Sequence, residues 1–445
     1  MTDCNRLALV FSNLGRRKIQ ADFAGGKLTS DAGAALLREV DRRIGLINAL
    51  ADGIADPRQA AKITHDLRTM LAQRILALAM GYEDLNDHDS LRNDPLLQLI
   101  SQRGIDDKPL ASAATLCRFE NGIDRKSLAK MAEVFVEQFI ASHPRAPERI
   151  VLDFDATDDP VHGNQQGRFF HGYYDHYCFL PLYVFCGEQL LVAYLRPGKI
   201  DAAKHSRAIL KLLARRFREV WPKVKIIFRG DSGFCRWKLL RWCDRQAIGY
   251  IVGLAQNAVL QRLAQPYLRQ AKKQFEQTGQ KQRIFAETQY AAATWDRQRW
   301  VLIKAEHSSQ GSNPRFVVTN LSGDPQGLYD DLYCQRGDME NRIKEQQLDL
   351  FAGRTSCHEF LANQFRLLLS SAAYVLIESL RRLGLTGTEL AKAQAGTIRL
   401  KLLKIGASIS CSVRWIVLHL AGGYPLKELF ARILSRLRNP LAVPT

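Results

Sequence analysis

Leu332 to Gln347 reads L-Y-C-Q-R-G-D-M-E-N-R-I-K-E-Q-Q, and the rest of the chain takes its meaning from that stretch. It reads as one helix. Arg336, Glu340, Lys344 and Gln347 then fall at i, i+4, i+8 and i+11, on one face of a 3.6-residue period. An acid flanked by bases on one face suits a site that takes a metal and phosphates together.

Composition narrows the partners. A chain of 445 residues with 46% hydrophobic content buries a large core, divides into two or three domains and is not globally disordered. Lys and Arg number 63 against 45 Asp and Glu, a net charge of +18. A soluble chain this basic is expected to meet a polyanion, nucleic acid first. Nine cysteines, an odd number without a C-x-x-C, argue against a disulfide framework or a structural zinc site. Met1 to Arg17 has a short apolar run but no signal-peptide pattern, and no run of 18 apolar residues predicts a membrane span. The expected location is cytoplasmic.

Residues 1–147 read as mainly helical. Leu28 to Asp31 offers N-cap residues before an apolar periodic run, and Pro57 to Met80 is amphipathic. Ser112–Phe119, a turn at Asn121-Gly122 and Lys126–Ser142 form a helix pair that fits either a DNA-reading helix-turn-helix or an ordinary packing pair. From Arg149 the texture changes to strands: Arg149–Asp155, Cys178–Cys186, Gln189–Arg196, Lys223–Phe228 and Tyr250–Leu254, with the second and third joined as a hairpin. Helices are expected at Ala202–Phe217 and Trp237–Arg245. A polar Gln- and Lys-rich segment, Gln270–Gln282, leads into alternating stretches at Trp300–His307 and Phe316–Thr319, a β-rich insertion. Beyond the Glu340 helix, Phe360–Leu383 is an apolar helix, and Lys401–Leu420 suggests a strand pair. Residues 355–445 carry 12 Lys and Arg against 4 Asp and Glu.

Two strands end in acids. Asp153 and Asp155 lie on one face of I-V-L-D-F-D-A-T, and Asp231 closes V-K-I-I-F-R-G-D-S-G between two glycines that let a backbone or ligand approach. Together with Tyr333, Arg336 and Glu340, spaced as Y-x2-R-x3-E, and with T-N-L at Thr319–Leu321, the chain resembles bacterial insertion-sequence transposases with a DDE triad. The family pattern ends in a Lys where this chain has Gln347; Lys344, one turn earlier, is the nearest substitute.

That resemblance implies an α/β fold with a ribonuclease H-like mixed-sheet core. By it the chain divides into a helical DNA-binding domain at 1–147, core parts at 148–256 and 324–385, the β-rich insertion at 257–323 and a basic C-terminal region at 386–445. It implies Asp155, Asp231 and Glu340 as catalytic acids, with Asp155 preferred to Asp153 for its D-x-T context. Such acids hold two divalent ions roughly 3.5–4 Å apart, Mg²⁺ with Mn²⁺ able to substitute. Tyr333, Arg336, Lys344 and Arg229 are then DNA-binding. The implied partners are double-stranded DNA with terminal inverted repeats, target DNA and a second copy of the chain in a paired-end complex. The implied setting is bacterial and nucleoid-associated, the implied reaction cut-and-paste DNA transposition. Trp295 and Trp300 lie where related enzymes stack a flipped base, although core packing accounts for either.

Two rivals share some of the residues. D-x-D-x-T also fits a haloacid dehalogenase-like phosphatase with Asp153 or Asp155 as nucleophile, but that fold wants a helix after the first strand and a second acid soon after Asp231. A catalytically inactive DNA-binding regulator would leave the three acids unexplained.

Overall fold

The computed structural model describes residues 9–105 and 107–439; Cys4 and the start of the N-terminal apolar run lie outside the described residues. The chain forms two units, one of residues 1–120 with 376–445 and one of residues 121–375.

The first unit is built on the helix Leu67–Met80, capped by Asp66, whose side chain accepts from the Thr69 backbone N–H. It is buried from Thr69 to Met80, so it is apolar all round and serves as a core element. Its one buried arginine, Arg74, is neutralised by the equally buried Glu120 at 2.8 Å. Helices Ala35–Ile44, Leu46–Asp52 and Pro95–Ile100 belong to the same unit. The strand pair expected within Lys401–Leu420 is the hairpin Ala407–Cys411 and Ile416–Leu420, and Leu28–Thr29 adds to its edge. Two expected boundaries therefore move. Residues 386–445 complete the N-terminal unit, because its short strand takes its backbone partners from them, and the division at 147 falls near 120.

The helix read as the second member of a helix-turn-helix, α1 (Arg125–Ala141), belongs to the second unit. It buries Val136 and Phe139 in that unit's core. Its opposite face, with Arg125, Lys126, Lys130, Glu133 and Glu137, is exposed, so the two readings of the helix pair stay open.

The second unit is one large mixed sheet. In chain order its strands are β1 (Arg149–Ala156), β2 (Leu182–Cys186), β3 (Gln189–Tyr194), β4 (Lys225–Gly230), β5 (Gly249–Leu254), β6 (Gln282–Tyr290), β7 (Arg299–Ser308) and β8 (Arg315–Thr319). They lie in the order β6-β7-β8-β5-β4-β1-β2-β3. β1, β4 and β5 are parallel, and the remaining neighbours are antiparallel. α2 (Ser206–Val220) and α3 (Trp237–Arg245) make the crossovers that parallel strands require.

Two details depart from the expected elements. The strand expected over Cys178–Cys186 is two strands. His176–Phe179 joins a small sheet with Phe169–His171 and Asp159–Pro160, and β2 begins only after Pro181, which has no N–H for a ladder. The polar segment before β6 is a 21-residue helix, α4 (Ala258–Thr278). β6 to β8 extend the main sheet through the antiparallel pairing of β8 with β5. The Thr319-Asn320-Leu321 motif sews that junction: the Thr319 hydroxyl donates to the Tyr250 carbonyl at 2.7 Å, and the Asn320 amide oxygen accepts from the Tyr250 N–H at 2.7 Å.

Alternation along the strands sorts the two faces. Ile150, Leu152 and Phe154, with Ile226, Phe228, Tyr250 and Val252, pack under α1 to α4. Their neighbours Val151, Ile227 and Ile251 face the other way, against Tyr329, Leu332 and Tyr333. By the period of two, Asp153 and Asp155, Arg229 and Asp231, and Gly253 share that second face. On β1 and β4 that face thus passes from an apolar middle, Val151 and Ile227, to polar ends on the side where the Glu340 helix lies. α6 (Phe360–Leu380) closes the unit and runs on into the first. By length and composition Phe360–Leu385 would pass for a membrane span, but 83% of its apolar window is buried in protein, as in a core helix.

Candidate active site

β1 and β4 are adjacent and parallel, with Phe154 paired to Gly230. Asp155 and Asp231 each come one residue later, so both carboxylates stand at the C-terminal edge, where the chain from β1 goes on to β2 on one side and the chain from β4 to β5 on the other. That is the usual place for a ligand crevice in an open α/β sheet. Asp231 caps the turn that follows, its carboxylate accepting from the Gly233 N–H at 2.9 Å.

The third acid comes from the stretch 328–349. Its winding is continuous but uneven: a wide turn at Leu328–Tyr333, a tight one at Cys334–Arg336, then α5 (Gly337–Asp349). The single regular helix expected over Leu332–Gln347 is thus regular only from Gly337. Wide turns of this kind recur at functional sites because they re-aim side chains. Here Arg336 and Glu340 still sit one turn apart, with the Arg336 guanidinium donating to Glu340 Oε1 at 2.7 Å. The same guanidinium reaches Asp155 Oδ2 at 3.4 Å, bridging two of the acids.

Burial pushes the Asp155 carboxyl up to about 7; Arg336 opposes the shift, and the charges of Asp231 and Glu340 add to it. All three acids and Arg336 therefore share one electrostatic neighbourhood. Desolvation also raises the Tyr333 phenol, so it is a neutral donor at ordinary pH. Its hydroxyl lies against Gly253, where an added Cβ would come 2.7 Å from that oxygen and 2.8 Å from the Ser232 nitrogen. A strand glycine that lets another group approach closely is a readable signal, and sequence reading passed over it.

Three polar ties hold α5 in place. Arg342 pairs with Glu188, the Gln346 amide donates to the Ser371 hydroxyl at 2.8 Å, and the Gln347 amide donates to the Asp158 carbonyl at 3.0 Å. Gln347 thus fastens the helix to the loop just after Asp155. Lys344 is exposed on the same helix and has no ion pair among the described residues.

Arg229 requires a correction. Read as a DNA contact, it is only 6% exposed, and its guanidinium pairs with both oxygens of Asp153 while donating to the Leu332 carbonyl. Its donors are spent inside the protein, which leaves none aimed at a phosphate. The same pairing closes the phosphatase reading of Asp153, since a nucleophilic carboxylate needs an oxygen free to attack. In the insertion, Trp295 packs beside Tyr290 and under the Arg299 guanidinium, while Trp300 is 45% exposed.

The donor set is three carboxylates, hard oxygens of the kind Mg²⁺ takes. As arranged, no group of three or more His, Cys, Asp or Glu side chains among the described residues stands ready to hold a metal, and the bridging cation between Asp155 and Glu340 is Arg336.

A search of curated proteins finds no match to this sequence. Among solved structures, the cryo-EM structure of the piggyBac transposase synaptic complex with hairpin DNA aligns over 94% of this chain and 83% of its own, at 10% identity and a TM-score of 0.45. The family model for transposase DDE domain group 1 matches residues 11–441, nearly the whole length, and the chain belongs to that family of DDE transposases.

Proposed function

We propose that this transposase cuts and joins the ends of an insertion sequence by metal-dependent phosphoryl transfer, with Asp155, Asp231 and Glu340 as the acids. The observation that carries the reading is their convergence: two acids on neighbouring parallel strand ends, and a third on a helix tied to the first through Arg336. The order β3-β2-β1-β4-β5, three antiparallel strands extended by two parallel ones, supports a ribonuclease H-like core, with 257–323 as its insertion.

The three carboxylates would hold Mg²⁺, or Mn²⁺ in its place, in a site of two ions. Bound there, the metal supplies activation of the attacking water or 3′-hydroxyl and neutralisation of the leaving oxygen. The chain's own groups do the rest. Arg336 offers a planar fork to a phosphate once DNA competes for it, Tyr333 offers a neutral hydroxyl, and Lys344 adds a point charge. Asp153 and Arg229 hold the two strand ends and the start of the Glu340 segment in register. The substrate is duplex DNA bearing terminal inverted repeats, then target DNA, handled by a dimer.

The test is to incubate the purified protein with DNA carrying the gene's own flanking ends, with and without Mg²⁺, and map the cut strands. Mg²⁺-dependent cuts at the element boundary, absent in Asp231→Asn, are expected. Cleavage by Asp231→Asn at the wild-type rate would sink the assignment.

A further inference from the structure

The small sheet between β1 and β2 is unlike the rest of the surface. Strands Phe169–His171 and His176–Phe179 pair with Phe170 opposite Tyr177, so those two rings share a face, 5.7 Å apart and edge-on. Both are about half exposed, and Tyr173 in the connecting turn is 85% exposed. One cation lies over this face, the Arg168 guanidinium 4.8 Å from the Tyr177 ring centre; the Lys199 ammonium sits 5.8 Å from Phe169, which pairs with Cys178 on the other face. The strand itself is anchored, with Cys178 and Phe179 fully buried. An exposed aromatic face on a fixed backing is costly to leave in water unless something covers it.

Its position says what does. Asp159–Pro160, which pairs with His176–Phe179, follows Asp155 by only a few residues. His176 is bonded to Asp158 at 2.8 Å, and the Tyr174 hydroxyl donates to the Ala156 carbonyl at 3.5 Å. The patch is thus built onto the loop that leaves the first acid, on a chain carrying +18. Exposed rings beside an arginine match single-stranded nucleic acid, whose bases expose flat faces and whose backbone is anionic. A paired duplex keeps those faces hidden.

We propose that the Arg168–Tyr177 hairpin is a stacking platform for unpaired bases of the DNA strand beside the scissile phosphate, with Phe170, Tyr173 and Tyr177 as the stacking rings and Arg168 as the phosphate partner. This rests on the DNA-cutting reading of the neighbouring acids.

The experiment uses the full chain and two fluorescent probes carrying 2-aminopurine. One is a fully paired element end and the other is the same end with its terminal bases unpaired. The wild type should bind the forked probe more tightly and quench its 2-aminopurine. Tyr173→Ala and Phe170→Ala should each weaken forked-probe binding by about 5- to 150-fold, the loss of one stacked base, and leave duplex affinity within about twofold. Phe170→Trp and Tyr173→Phe should restore quenching. Because Tyr173 is almost wholly exposed, its replacement leaves the fold intact, and an unchanged melting temperature checks that. Three results would overturn the platform: forked-probe affinity in Tyr173→Ala and Phe170→Ala equal to that of the wild type, equal losses on both probes, or a change of oligomeric state on mutation, which would mark a protein interface. A wild type that binds neither probe overturns the DNA-cutting reading itself.

Discussion

Asp153 and Asp155 stand two residues apart on one face of one strand, and each meets an arginine, yet the pairs do opposite things. Asp153 is 2% exposed and gripped through both oxygens by Arg229, whose remaining donor reaches the Leu332 carbonyl. Asp155 lies at the strand end and meets Arg336 through one contact of 3.4 Å, and Arg336 divides itself with Glu340. The first pair is closed on itself; the second has a partner that can be taken away. The same residue types make a closed clamp where both carboxylate oxygens are gripped, and an exchangeable bridge where one contact is long and the cation is shared.

The sharpest way to break that contrast is to neutralise each acid in turn. Asp155→Asn should lower DNA cleavage by at least about 10⁴-fold, some 5–6 kcal/mol, while the chain still folds and binds DNA. Loss of cleavage confined to Asp153→Asn in a folded protein would reverse the assignment. Next in size is the clamp. Asp153→Ala or Arg229→Ala leaves a buried charge unpaired and should cost about 3–5 kcal/mol in a denaturant melt, whereas replacing both by apolar residues of similar volume should recover most of it.

A third test uses pH. The Asp155 carboxyl is raised to about 7 in the fold, chiefly by burial. A raised acid binds its proton more tightly when folded, so stability falls as pH rises from about 4 through 7. In metal-free buffer Asp155→Asn should therefore be more stable than wild type at pH 8, on the order of 2–4 kcal/mol, with the gap closing near pH 4. An equal gap at both pH values would mean the carboxyl is not held above its ordinary range. Gly253→Ala should cost about 1–3 kcal/mol and reduce cleavage, because its methyl collides with the Tyr333 hydroxyl and the Ser232 backbone. The smallest effect belongs to Lys344→Gln, which should flatten the salt dependence of DNA binding by about one unit of log–log slope and leave sequence preference alone.

Much of this was legible in the sequence, for a local reason. Strand, hairpin, helix, strand, helix, strand from residue 149 to 254 follows from apolar alternation, and Asp231 at a strand end follows from an apolar run stopped by R-G-D-S-G. What escaped depended on distant partners or thin signals. Nothing near Arg229 says it faces inward, because its partner Asp153 is 76 residues away. α4 hides in Gln and Lys. Its buried stripe is only Leu260, Ala264, Leu268 and Ala271, two of them alanines, and Pro266 interrupts the pattern, although Asn257 caps it in the ordinary way. The boundary near 120 was invisible because it depends on the chain's end returning to its beginning. The exposed rings of the hairpin at 168–177 went unweighed, because no regular alternation marks them in so short a strand pair.

The clamp and the bridge also set an order of events. Arg336 is 181 residues beyond Asp155 along the chain, and Leu332 is 103 beyond Arg229. Closing loops of that length adds little entropy cost but slows folding, since the contacts that reward closure come late. A ribosome adding roughly 5–20 residues per second makes Arg336 some 10–40 s after Asp155. During that interval the nascent chain holds two of the three proposed acids. On the proposed triad, a chain truncated before residue 340 lacks the third acid and is expected not to cut DNA.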